Sequence, residues 1–205
     1  MALAARKRAY HHGDLARALI DAALPRIEKE GVEAFTLREA ARAVGVTHAA
    51  AYRHYADKRA LLAAIAEEGF RALAADLRDA AAHDGDAPEK LAAIGRAYVR
   101  YAFREPARFR VMFGPRLNYD RRFPALEAEA QRAFRILLDA IEAGQRDKTF
   151  IEGVSRDLAN SLWTTAHGFA SLVLHRKIIV RSAARAEAYF DEIVAPALAG
   201  LRRRK

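Results

Sequence analysis

Residues 35–58, FTLREAARAVGVTHAAAYRHYADK, hold two short helical patterns joined by a tight turn at Val44-Gly45-Val46. Thr36 and Glu39 have the spacing of a capping box, in which the threonine oxygen accepts from the amide three residues on and the glutamate reaches back. Phe35, just ahead of the cap, is placed to act as a staple. The spacing predicts a helix over 37–44, with Leu37, Ala40, Ala41 and Val44 on one face. Gly45 falls where the chain must turn left-handed, a conformation glycine takes without steric cost. Val46 is apolar and pins the turn to the core. Thr47 is a good N-cap for the second helix. There Ala51 and Tyr55, four apart, form the inward face, and His48, Ala49, Tyr52 and Arg53 are left on the other. Ala49 and Ala50 are small enough to let the backbone approach a partner closely. This is the pattern of a helix-turn-helix whose second helix enters a DNA groove.

Each residue of that face has two readings. Thr36 and Thr47 are caps whatever else they do, and phosphate contact is an added role because helix N-termini attract anions. Tyr52 either packs or, with the inner face already filled, reaches a phosphate or base. His48 stands at the helix start, where base-reading residues sit, and can equally meet a phosphate. Arg53 can be a rim residue, and His54 can pack against the next helix instead of DNA. Lys58 opens that next helix and offers a phosphate both an ammonium and unpaired amides. Strong bidentate base readers are few. Preference for one sequence then depends on methyl contacts from Ala49 and on DNA shape as well as on hydrogen bonds.

The 205 residues are about half apolar, with no cysteine, a formal net charge of +9 and few β-branched runs. That composition favours an all-α protein with a sizeable core and excludes disulfides, thiol catalysis and thiolate metal sites. No apolar run approaches the roughly 20 residues that span a bilayer, and the start lacks an apolar signal core, so a cytoplasmic protein without membrane contact is expected. The positive charge is concentrated at the ends: Arg6, Lys7 and Arg8 lead, and Arg202, Arg203, Arg204 and Lys205 trail. The leading run precedes the DNA-reading unit and can lie along phosphates or in a minor groove. The trailing run has no such argument. A charge run is often only a solvated end.

About nine helices are expected. The first runs from Asp14, a candidate N-cap, to Glu30, with Leu15, Leu19, Ala22, Ala23 and Ile27 buried; Gly31 ends it, and Pro25 inside it should kink it or remove a hydrogen bond. Asp57 caps a long fourth helix from Lys58 to about residue 82. The DNA-binding domain is assigned to residues 1–58 and a second helical domain to 59–205, with the long helix as a mechanical link and HDGDAP at 83–88 closing it. Further helices are expected from Pro88 to about Arg104, over 107–113, from Pro124 to about Ala143, and over 155–174 and 183–201. Ile178-Ile179-Val180 reads as an apolar anchor in the loop before the last.

Residues 1–60 resemble the tetracycline-repressor (TetR) family of bacterial regulators. The resemblance covers YHHGDLARALIDAAL and then Tyr52, His54, Tyr55 and Lys58, which match the family's aromatic, His or Tyr, aromatic and Lys positions. Ala51 departs from it, standing where a larger apolar residue is usual, which predicts loose packing under the recognition helix. Trp163, His167 and Gly168, with EPARFRVMFG upstream, look like the C-terminal domain of a subgroup marked by a Trp–His–Gly pattern. The resemblance implies a homodimer and a pocket for a small-molecule effector, with Tyr98, Tyr101, Phe109, Met112, Phe113, Phe134, Trp163 and His167 as candidate lining. By spacing alone, Trp163, His167 and Ala170 share a helix face and can be plain core. The candidate lining holds no unmistakable charge, which favours an aromatic or otherwise apolar effector. Leu158, Leu162, Thr165, Phe169 and Leu172, with Tyr189, Ile193, Val194 and Leu198, form the candidate dimer surface, two helices from each chain packing as a bundle.

The expected function is a transcriptional regulator, a repressor that leaves its double-stranded operator when the effector binds. No cofactor and no metal are expected. An architectural DNA protein without effector would need a broadly basic body, and this one is nearly neutral. An enzyme is disfavoured by the absence of HExxH, GxSxG and glycine-rich phosphate-loop patterns; His11 and His12 are adjacent and point apart on a helix, and Glu127 and Glu129 lack ligand spacing.

Overall fold

A computed structural model describes residues 12–203. Among them are nine helices and no strand: α1 (His12–Glu30), α2 (Leu37–Val44), α3 (His48–His54), α4 (Lys58–Ala81), α5 (Ala87–Arg104), α6 (Pro106–Phe113), α7 (Pro124–Arg146), α8 (Ser155–Leu174) and α9 (Ala183–Leu201). No described helix is long and apolar enough to cross a membrane. The chain divides into two compact units between Ile65 and Ala66, inside α4. The Arg6–Arg8 run, His11, Arg204 and Lys205 lie outside the described residues.

In the first unit α1 carries the core. Leu15, Leu19, Ala23 and Ile27 are buried, as is Ile20, while Ala22 is only partly covered. The helix begins at His12, so Asp14 lies within it rather than capping it. It runs unbroken through Pro25, which is exposed, so the hydrogen bond proline cannot make is one that water can replace. Gly31 ends it with φ +88° and an amide bond to the Ile27 carbonyl at 3.0 Å.

The second unit is built around α5. An Asp86–Glu89 capping box starts it: the Glu89 amide donates to Asp86 at 2.9 Å, and the Asp86 amide donates to Glu89 at 2.8 Å. Leu91, Ile94, Tyr98, Tyr101 and Ala102 are buried along it, against α6, α7, α8 and α9. α7 extends to Arg146, three residues past the expected Ala143. An isolated antiparallel bridge between Phe150 and Arg202 ties the α7–α8 corner to the end of α9. Of the expected apolar anchor, Ile179 is 85% exposed, while Ile178 and Val180 are partly buried. Leu162, Phe169 and Val194, expected on an outward dimer surface, are buried core residues instead, whereas Leu158, Thr165 and Leu172, on the adjoining edge of the same α8 stripe, stay partly or fully exposed.

Candidate functional site: an exposed recognition helix and a helical cavity

The local chemistry of residues 35–58 takes the form its sequence dictates. The Glu39 amide donates to Thr36 Oγ1 at 3.3 Å, and the Thr36 amide donates to Glu39 Oε2 at 2.9 Å. Phe35 is fully buried ahead of the cap. Gly45 adopts φ 76°, ψ 28°, and the Val46 amide donates back to the Ala41 carbonyl at 3.0 Å, the long bond of a left-handed helix stop. Thr47 Oγ1 accepts from the Ala50 amide at 3.2 Å. Ala51 is fully buried, and the Tyr55 hydroxyl donates to the Ala16 carbonyl at 3.2 Å, fastening α3 to α1. This turns the opposite face of α3 outward.

On that face Thr47, His48, Ala49, Tyr52 and Arg53 are exposed, Tyr52 at 45%, while His54 is partly buried. Thr36 is exposed too, but its hydroxyl also donates to Glu39 Oε2 at 2.9 Å and is committed to the cap. Lys58 has a structural role that its sequence position did not reveal. Its ammonium donates to the Glu33 carbonyl at 2.9 Å, bracing the α1–α2 turn. An ammonium has three protons, so this bond leaves donors for a phosphate. Arg38, exposed in the first turn of α2 two residues from Thr36, adds a cation that the pattern of α3 did not bring into view.

The second unit encloses a cavity of about 770 Å³, within the range of small-molecule sites. Tyr98, Phe113, Phe134 and Trp163 line it; Tyr101, Phe109, Met112 and His167 are not part of the lining. Tyr101 is fully buried, with its hydroxyl 3.5 Å from Met112 Sδ. Phe109 stacks on His167, rings at 5.5 Å and 21°. The floor comes from apolar residues of two further helices: Phe70, Leu73 and Leu77 of α4, and Leu91 and Ile94 of α5. Polar lining residues lie on α7 and α8: Glu127, Gln131, Arg132, Arg135, Arg156 and Asn160, all exposed. The sequence did not show this charged rim, because it forms only where two helices converge.

A polar chain runs from the cavity wall into the core. Trp163 Nε1 donates to the Tyr98 hydroxyl at 3.4 Å, and the Tyr98 hydroxyl is 2.8 Å from His167 Nδ1. Ser171 Oγ is 3.3 Å from His167 Nε2. Burial pushes the Tyr98 phenol up, against a smaller opposing pull from the Trp163 N–H, so Tyr98 keeps its proton. Burial also holds His167 below the usual imidazole range. A neutral imidazole has one N–H, so one ring nitrogen donates and the other accepts in the Tyr98–His167–Ser171 chain.

This neutral histidine ties stability to pH. Its unfolded-state value is about 6.5, and the folded value is lower, so between the two the unfolded chain binds more protons. The contribution is full above about pH 6.5 and is lost as pH falls through the folded value. Denaturant midpoints of wild type and His167→Gln at pH 7.5 and 5.5 check this. The wild type is expected to lose more stability on acidification than the variant; equal losses would show that His167 is not the group responsible.

A family profile described as "Bacterial regulatory proteins, tetR family" matches residues 19–65, and one described as "Tetracyclin repressor-like, C-terminal domain" matches residues 91–196, more than half of the chain. No curated protein sequence matches. Among solved structures, a Rhodococcus sp. RHA1 protein of unknown function is 28% identical, with TM-score 0.77 over 96% of this chain and 100% of that one. A tetR-family regulatory protein from Rhodococcus RHA1 is 22% identical, with TM-score 0.73 over 93% and 98% of the two chains. The TetR family transcriptional regulator PfmR from Thermus thermophilus is 23% identical, with TM-score 0.72 over 92% and 97%.

Proposed function

The chain belongs to the tetracycline-repressor family of DNA-binding transcriptional regulators, and from that membership we propose that it works as a cytoplasmic homodimeric repressor, released from its operator when a small molecule fills the cavity of the second unit. Residues 1–58 supply the DNA contacts and the remainder the effector and dimer surfaces. The contacts we assign are His48, Ala49 and Tyr52 to the groove, Arg53 and His54 to its rim, and Thr47 and Lys58 to the phosphates; Thr36 reaches a phosphate only by exchanging the bond its hydroxyl donates to Glu39. One α3 helix covers too little DNA to be selective; two, related by a two-fold axis, reach half-sites about 34 Å apart.

The observation that carries the effector half of this reading is the cavity itself, about 770 Å³ with an apolar floor. Control is then a coupling energy: an effector that binds the free form more tightly than the DNA-bound form lowers operator affinity by that difference, typically about 1–3 kcal/mol or 5–150-fold. The test selects genomic duplexes on the purified protein, then screens small molecules that raise its melting temperature for release of the selected duplex. Release by a compound that competes for the cavity is the expected result. Binders that fill the cavity and leave the DNA complex untouched would remove the effector from the mechanism.

The dimer surface consists of the residues that remain outward. Leu158, Thr165 and Leu172 on α8 and Tyr189, Ile193 and Leu198 on α9 are partly or fully exposed. A Cβ added at Gly168 or Gly200 meets no atom within 4 Å, so a second chain can approach closely at both. Substituting Leu172→Glu together with Tyr189→Glu is expected to give monomers in sedimentation velocity. Dimers that persist would move the interface elsewhere.

A further inference from the structure

The rim of the cavity is chemically lopsided. Three arginines, Arg132, Arg135 and Arg156, stand there against one carboxylate, Glu127. Glu127 already accepts from Gln131 at 2.8 Å. Two of the arginines are committed: Arg132 pairs with Glu129 at 3.1 Å, and Arg135 with Asp139 at 2.6 Å and Glu142 at 2.8 Å. Arg156 has no carboxylate partner among the described residues. Its guanidinium carbon lies 5.4 Å from the centre of the Phe134 ring, and that ring meets Trp163 edge-on at 6.1 Å.

A guanidinium stacked on an aromatic face keeps its N–H edge available for a planar or tetrahedral oxyanion. Arg156, Asn160 and Trp163 follow one another at four- and three-residue steps on one face of α8, and all three line the cavity. Polarity along this face therefore falls from a cation, through an amide, to an indole. Beyond it the floor is aliphatic, with Leu73, Leu91 and Ile94 each no more than 3% exposed.

We propose that the cavity takes an elongated apolar molecule ending in an anionic oxygen group, a carboxylate or a phosphate monoester, and that Arg156 holds that group at the rim. The proposal rests on the cavity being a ligand site. A cation would meet Arg156 unfavourably, and a wholly apolar ligand would leave its charge unused. Arg132 and Arg135 add positive potential but keep their own partners.

The chain has a single tryptophan, and it lines the cavity, so its emission reports occupancy directly. Full-length protein is titrated with dodecanoate, dodecyl phosphate and dodecan-1-ol below their aggregation limits, as wild type, Arg156→Gln and Arg132→Gln. Both anions are expected to bind about tenfold more tightly than the alcohol, the size of one charge-assisted hydrogen bond at a half-solvated site. Arg156→Gln is expected to erase that preference and Arg132→Gln to keep it. Preference for only one anion also supports the proposal and names the head group. Equal binding of the alcohol, or a preference that survives in Arg156→Gln, overturns it. If no probe alters the emission, the cavity is not a site for such molecules and the proposal falls with it. Binding through Arg156 that leaves operator affinity unchanged sinks the effector reading while this site stands.

Discussion

Replacing Ala49 with glutamate is expected to abolish operator binding while leaving the fold intact. Ala49 is exposed in the first turn of α3, beside the Thr47 cap and on the side away from buried Ala51. A carboxylate there would enter a groove walled by phosphates, and unfavourable like-charge placement at an interface costs several kcal/mol. A two-fold dimer carries the substitution twice, so a loss of at least about a hundredfold in affinity is expected. In the folded chain the same carboxylate sits near the positive end of a helix, where it is stabilising by about 0.3–1 kcal/mol. Mobility-shift titration beside a thermal melt separates the two effects. An unchanged shift would remove α3 from the interface. Lys58→Ala is a less clean probe, because Lys58 also braces the Glu33 carbonyl and its loss weakens the fold.

Gly144→Val is expected to give the largest loss of stability. Gly144 is buried on α7, and a Cβ added there would overlap the ring of Phe150, which is 1% exposed. The ring cannot retreat easily, because the Phe150 amide donates to the Gly144 carbonyl at 2.9 Å and Phe150 is bridged to Arg202. Overpacking a tight site costs about 1–3 kcal/mol, occasionally more, or about 2–12 °C in melting temperature for a chain of this size. The same corner sets the start of α8: Gln145 donates to the Ile151 and Gly153 carbonyls at 3.1 Å and accepts from Ser155 Oγ at 2.7 Å. Arg156 follows directly, so ligand binding is expected to weaken with stability. A melt and a dodecanoate titration measure both. An unaltered melting temperature would show that the ring has room to move.

What the sequence disclosed was the local chemistry. The Thr36–Glu39 box, Gly45 and the Thr47 cap each act within four residues, so α2 and α3 begin and end where the pattern places them. The bounds of α8 and α9 also match those expected; Ser182 caps α9 by accepting from the Arg185 amide, whereas α8 starts without a side-chain cap. Long-range choices were less visible. One broad apolar stripe of α8 is split: Leu162 and Phe169 turn inward, whereas Leu158 and Leu172 at its edge stay partly or fully exposed. Periodicity defines such a stripe without saying how much of its width the chain itself covers. The start of α1 was obscured because Asp14 resembles a cap, although the helix already includes His12 and Gly13. The arginine rim escaped notice for the same reason as the floor: α4, α5, α7 and α8 must meet before Arg156 and Leu91 share a cavity. Lys58 shows the reverse limit, since a residue read from its place at a helix start as a phosphate contact also holds a turn 25 residues away.

The most direct measurement is an equilibrium titration of the purified protein, at one fixed salt concentration near 0.15 M, against its genomically selected duplex and a scrambled duplex of equal length. Expected are two chains per selected duplex and a preference of at least about a thousandfold over the scrambled one. Equal affinity for both duplexes would contradict a sequence-reading role for α3, and with it the assignment of this chain as the repressor of a defined operator.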